Sequence, residues 1–369
     1  MNLIFRTFRR LGLALLALLV MGGVAHADCV YNGGNPYGGQ PYALTSQLSI
    51  NALTVGRDVP VGTVLYGQTI YPQTMRVDCV VPGGTISKIW ALPSTPLPLS
   101  SWNQAPYAGH VYETGVPGIG IAVWSNGTPM PANITLNNCA SGNDTCHWNV
   151  GTAAFDISLI KIGPVSPGVI SGASLPTVRL TWDGGGTPLV LGNISFVGSI
   201  QIVAQTCTTP DVTVDLGTHT VQSLSSSTSS TPWKDFAIQL QACPAFYGAS
   251  GRSYNTDSGS GFVPTGSTTA NQIGFSLAPA TSVIDPTNAI IALSAGTPSK
   301  PAASGIGIQI ANGSGTPVSF NTVMPSGIVP QPTNLGSYSI PLQARYTTTG
   351  GPVTAGPADS SMTFTVNYQ

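Results

Sequence analysis

The chain has 369 residues, of which 7% are charged, with 44 Gly, 31 Pro and a formal net charge of −1. A soluble domain ordinarily carries roughly 25% charged residues, so this surface is covered by hydroxyls, amides and backbone instead. The composition argues against nucleic acid as a partner, because phosphate binding needs clustered Lys and Arg, and its high apolar fraction argues against disorder.

The first element in chain order is a leader. Arg6, Arg9 and Arg10 precede an apolar run over residues 11–20, and small residues end in Ala25-His26-Ala27. This pattern predicts a secretory signal peptide over residues 1–27, cleaved after Ala27; the apolar run falls short of the roughly 20 residues that span a membrane. Export sets the reading of Cys29, Cys79, Cys139, Cys146, Cys207 and Cys243. An even number in an oxidising compartment reads as disulfides rather than metal thiolates. Sequence order leaves several pairings open, and nearest-neighbour pairing is the simplest: Cys29–Cys79, Cys139–Cys146 and Cys207–Cys243.

Beyond the leader, Val, Ile and Thr alternate with polar residues between Gly and Pro punctuation, which predicts strands. The closing strand of a first domain is expected over residues 193–203. Further strands are expected at Val212, Val214 and Leu216, at Phe236, Ile238 and Leu240, at Ile306, Ile308 and Ile310, and at Met362, Phe364, Val366 and Tyr368. No long amphipathic helix is predicted. Short strands with frequent turns imply an all-β fold of two β-sandwich domains, expected at residues 28–203 and 204–369. Five of the six Trp fall before that boundary. The Ser-rich stretch over residues 223–231 reads as an exposed loop within the second domain.

Catalytic chemistry has little to work with. After the leader the chain holds one Glu, Glu113, and three His, His110, His147 and His219. No metal-ligand spacing and no G-x-S-x-G elbow is present, so no enzyme, cofactor or metal is expected. Asp183-Gly184-Gly185-Gly186 lacks a phosphate-cradle pattern and reads as a hairpin turn. What remains suits recognition of neutral polar ligands such as sugars, whose hydroxyls meet Asp and Asn and whose C–H faces stack on aromatic rings. The candidates are Asp28, Trp182 and Asp183, with Trp102 and Asn103 in a Pro-rich loop. For each Trp, core packing is the competing reading.

The second half resembles a known family. Cys207-x-x-Pro-Asp-Val-Thr-Val-Asp-Leu-Gly, Phe236-x-Ile238-x-Leu240-x-x-Cys243-Pro244, Gly305-Ile-Gly-Ile-Gln-Ile, Ala344-Arg345-Tyr346 before Gly350-Gly351, and Phe364-x-Val366-x-Tyr368 look like the pilin domain of chaperone-usher fimbriae. Gly356, fourteenth from the last residue, and the penultimate Tyr368 fit that family's C-terminal pattern. The resemblance implies an immunoglobulin-like sandwich lacking its last strand. A periplasmic chaperone would fill the gap first, holding the carboxylate of Gln369 and pairing along Met362, Phe364, Val366 and Tyr368; the next subunit's strand would then replace it.

The first half resembles the receptor-binding domain of two-domain tip adhesins, on Cys29 beside the mature N-terminus, Cys79, and the run over residues 160–174. A whole domain stands where a shaft subunit carries its donor arm, so a subunit that accepts a strand without donating one is expected. The resulting expectation is a fimbrial tip adhesin on the cell surface, with the chaperone, an outer-membrane usher, the next subunit and a host glycan or glycoprotein as partners. The alternative is a structural tip adaptor or initiator that binds no receptor.

Overall fold

The structure, a computed structural model, describes residues 28–369 other than 34, 81–84, 137–144, 150–152, 227–228, 258–261 and 333–335. The expected signal peptide and the Cys139–Cys146 pair therefore lie outside the described residues. Among those described the chain is all-β, with two short 3-10 turns, Gly172–Ser174 and Val221–Leu224.

In the first half, one sheet has the order Ala132–Leu136, Ile86–Ala91, Val178–Asp183, Leu189–Val197, Tyr42–Gln47, its last pair parallel. A second sheet runs from Val111–Glu113 through Ile119–Ser125 and Phe155–Lys161 to Val64–Tyr71. Period-two burial joins the two. Val178, Leu180 and Trp182 point inward at 3% exposure or less, as do Phe155, Ile157 and Leu159 from the other sheet. The ring of Phe155 lies between Trp90 at 5.8 Å and Phe196 at 6.5 Å. Each such side chain, fully buried, contributes about 1.5–3 kcal/mol. The Cys29–Cys79 bridge is buried within this core.

The expected closing strand over residues 193–203 is two strands. Gly198, at φ 87°, ends Leu189–Val197 in the five-stranded sheet and lets Ser199–Val203 enter a different sheet, beside Gly168–Ser171 and Ala52–Thr54.

The second half has its own core around the Cys207–Cys243 bridge. One sheet orders Lys234–Cys243, Gly336–Thr348, Ile306–Asn312, Ile290–Ile291 and Val283–Asp285; the other orders Met324–Pro325, Ile273–Pro279 and Met362–Tyr368. The strand expected at Val212 to Leu216 keeps its alternation, with Val212, Val214 and Leu216 half-buried and their neighbours exposed, but joins no ladder. Period-two patterning reports which way side chains face, and it does not guarantee a hydrogen-bonded partner.

Nothing in the sequence marks the hairpin over residues 249–269. Ala249–Asp257 and Phe262–Thr269 come from the second half, yet Ala249–Asp257 pairs in parallel with Val64–Tyr71 and extends the first half's sheet. The face it buries is polar: Ser253, Asn255 and Asp257 are 2%, 0% and 6% exposed. Asn255 Nδ2 donates to Ser46 Oγ and Gln47 O at 2.9 and 2.7 Å, and its Oδ1 accepts the Ser49 hydroxyl at 2.8 Å. Tyr37 donates to Asp257 at 2.8 Å.

Candidate functional site

The second core is open along one side. The C-terminal strand Met362–Tyr368 lies at a sheet edge, with its only ladder among the described residues made to Ile273–Pro279. Gln369 and Gln272 exchange both backbone bonds, at 3.0 and 2.8 Å, and Ala280 donates to Ser361 at 3.0 Å. By the alternation of an antiparallel ladder, residues 361, 363, 365, 367 and 369 therefore turn N–H and C=O toward Ile273–Pro279. Met362, Phe364, Val366 and Tyr368 turn theirs to the opposite side. The same four side chains face the core, while Thr363 and Thr365 are exposed. One edge thus combines inward apolar side chains with outward backbone groups.

Beside this edge runs an apolar groove of about 290 Å³, lined by Ile238, Leu277, Ile310 and Leu342 together with Val214 and Phe364. It is about twice the roughly 150 Å³ apolar cavity that takes up benzene. A wider, more polar recess of about 720 Å³ continues from it past Gly217, His219 and Tyr346 to Gly356. Groove and edge together present apolar pockets next to unpaired backbone, the combination that an added β-strand satisfies.

The expected edge residues are all placed on this feature. Val366 and Tyr368 are 6% and 4% exposed. The Tyr368 hydroxyl accepts the Cys207 N–H at 3.2 Å, and its ring stacks on Phe246 at 6.4 Å. Burial pushes the Tyr368 hydroxyl's pKa up. Gly356 stands where a Cβ would lie 2.5 Å from Pro301 O and 2.6 Å from Ala303 N, so only glycine lets the chain pass at that point. Val212, Val214 and Leu216 also line the groove, a role that their alternation in the sequence does not reveal.

The sugar-binding candidates are distributed differently. Asp28 Oδ1 accepts the Thr187 N–H at 3.0 Å and Asp183 Oδ1 accepts the Gly185 N–H at 2.8 Å, so both carboxylates hold the same turn. That turn joins Val178–Asp183 to Leu189–Val197, as the glycine run implied. Trp182 is 3% exposed within the main core. Trp102 is 7% exposed in a separate cluster with Val111, Ala122 and Ile160, its Nε1 donating to Pro106 O at 2.9 Å. Indoles enclosed to this extent have no face left for a sugar to stack on. Asn103 is exposed beside Trp102. His110 lies within 3.3 Å of Met130 O. Among the described residues, no three His, Cys, Asp or Glu side chains are grouped to hold a metal ion.

No curated protein sequence matches the chain. Among solved structures, the CupB6 tip adhesin from Pseudomonas aeruginosa is similar over 92% of this chain and 94% of its own, at 17% identity and a TM-score of 0.34. The receptor binding domain of the plasmid-born adhesin MrkD1P of Klebsiella pneumoniae is similar over 49% of this chain and 98% of its own, at 19% identity and a TM-score of 0.33. The fimbrial protein family matches residues 194–369. That segment contains the groove, the free edge and Gly356.

Proposed function

We propose that the chain is a non-enzymatic fimbrial tip adhesin. Its C-terminal half joins the fibre by taking a partner's β-strand along the edge of Met362–Tyr368, and its first half meets a host glycan or receptor. The observation that carries this reading is the outward-facing backbone of Met362 and Phe364 beside the apolar groove. Left open, such an edge recruits any strand available and aggregates. The reading therefore includes a periplasmic chaperone that covers the edge before assembly, an outer-membrane usher, and a neighbouring subunit that supplies the final strand. Asp28 and Asp183, on one exposed turn, remain the proposed ligand contacts of the first half, with Asn103 at a second position.

The test is co-expression of the full chain, leader included, with a chaperone of the chaperone-usher class. The reading expects a stoichiometric periplasmic complex that is lost when residues 362–369 are removed and weakened when Phe364 becomes Lys; undiminished recovery of both variants contradicts it. The recovered complex, applied to a glycan array, is expected to bind without turnover. Absence of binding to any glycan or host protein removes the receptor half of the reading.

A further inference from the structure

The free edge is not open along its whole length. Of the four residues that turn their backbone outward, two are already met by the first half of the chain. Asp58 Oδ2 accepts the Tyr368 N–H at 3.1 Å. Arg57 Nη2 donates to the Val366 carbonyl at 3.4 Å, and its Nε lies 3.3 Å from Asp58 Oδ1. Among the described residues, no such group stands against the backbone of Met362 or Phe364.

Residues 56–58 are held in place from several directions. Lys161, 4% exposed, donates from Nζ to Arg57 O at 2.8 Å and to Gly56 O at 3.3 Å. Gly56 packs against the last peptide of the C-terminal strand, where a Cβ would stand 2.1 Å from Tyr368 O. Just upstream, Asn271 donates to Thr54 O at 3.2 Å and accepts the Gly248 N–H at 2.9 Å, while Thr54 N–H donates to Gly248 O at 2.9 Å. A loop fixed behind and below does not swing aside for an incoming chain without breaking these bonds.

We propose that residues 56–58 are a stop that the first half builds into the strand-accepting groove: Arg57 and Asp58 occupy the Val366 carbonyl and the Tyr368 N–H, so that an added strand pairs at Met362 and Phe364 and ends there. The proposal rests on the strand-accepting reading and goes beyond it. The occupant it describes is a short extended segment with alternating apolar residues, because the groove offers its pockets on one side of the edge only and the backbone it must satisfy is limited to the start of the strand. The first half then sets the length and register of what the second half accepts.

The experiment measures amide hydrogen exchange at Met362, Phe364 and Tyr368 in the intact chain with two synthetic Thr-Val alternating peptides, one of about seven and one of about eleven residues. In the parent chain both peptides are expected to slow exchange at Met362 and Phe364, to leave Tyr368 unchanged, and to bind within about twofold of each other. In Asp58→Ala the longer peptide is expected to extend protection to Tyr368 and to bind about tenfold tighter than the shorter one. Asp58→Leu, which is of similar size but offers no acceptor to the Tyr368 N–H, gives the same reading should the alanine variant not fold. Protection that already spreads to Tyr368 in the parent, or an equal gain from peptide length in parent and variant, overturns the stop while leaving strand acceptance intact. Absence of protection at Met362 and Phe364 with either peptide overturns strand acceptance itself, and the stop with it.

Discussion

The Asn255 carboxamide donates to the hydroxyl oxygen of Ser46 at 2.9 Å, across 209 positions of sequence. This bond and its neighbours fasten a hairpin from the second half to the first half's sheet, so the two halves share a sheet as well as a chain. Asn255→Ala leaves the Ser46 hydroxyl, the Gln47 carbonyl and the Ser49 hydroxyl each one partner short around a side chain that is itself fully buried. The expected loss is about 2–4 kcal/mol, read as a lower urea midpoint of the first half. A change below about 0.5 kcal/mol, as at an ordinary surface site, shows that the hairpin is not fastened there.

Gly356 makes a different prediction. Its Cβ position is filled by backbone atoms of Pro301, Ala302 and Ala303 at 2.5 to 2.8 Å, and backbone cannot yield as a flexible side chain does. Gly356→Ala is expected to cost about 1–3 kcal/mol of stability by overpacking. Gly33→Ala, where nothing lies within 4 Å of the new methyl group, serves as the control and is expected to be neutral within about 0.5 kcal/mol. Equal effects at the two positions contradict the close approach.

Asp156 supplies a pH signature. Burial pushes its carboxyl above the ordinary carboxylate range, against the opposing pull of the Thr69 hydroxyl and of Arg252, whose Nη2 lies at 3.6 Å. With the folded pKa raised, the folded chain binds the proton more tightly than the unfolded chain does. Stability therefore falls as pH rises from the unfolded value, about 3.9, through the raised folded value, and the cost persists above it. Asp156→Asn removes that slope. Urea midpoints of parent and variant, measured from mildly acidic to neutral pH, are expected to diverge in the variant's favour as pH rises; parallel curves contradict the assignment.

The second half was legible because its strands alternate in the ordinary way, with apolar residues such as Ile238, Leu240, Val366 and Tyr368 facing inward. The 249–269 hairpin was illegible for the complementary reason: the face it buries carries Ser253, Asn255 and Asp257, so it lacks the apolar row on which strand reading depends. Trp182 beside Asp183 and a glycine run looked like the rim of a ligand site. Its place as the third member of an inward row after Val178 and Leu180 was the stronger signal. Arg57 and Asp58 carry no motif in the sequence, and their contacts with Val366 and Tyr368 come from a fold that brings together residues some 310 positions apart.

Acceptance of a β-strand by the groove beside Met362–Tyr368 is the core of the proposed function. Its most direct measurement is the thermal unfolding midpoint of the second half in a chain whose C-terminus is extended by a flexible Gly-Ser linker and one alternating Thr-Val strand. The comparison is an extension in which each Val is replaced by Lys. Filling the apolar pockets and pairing the edge at Met362 and Phe364 is expected to raise the midpoint by about 5–10 °C over that comparison. Equal midpoints for the two extended chains contradict the claim.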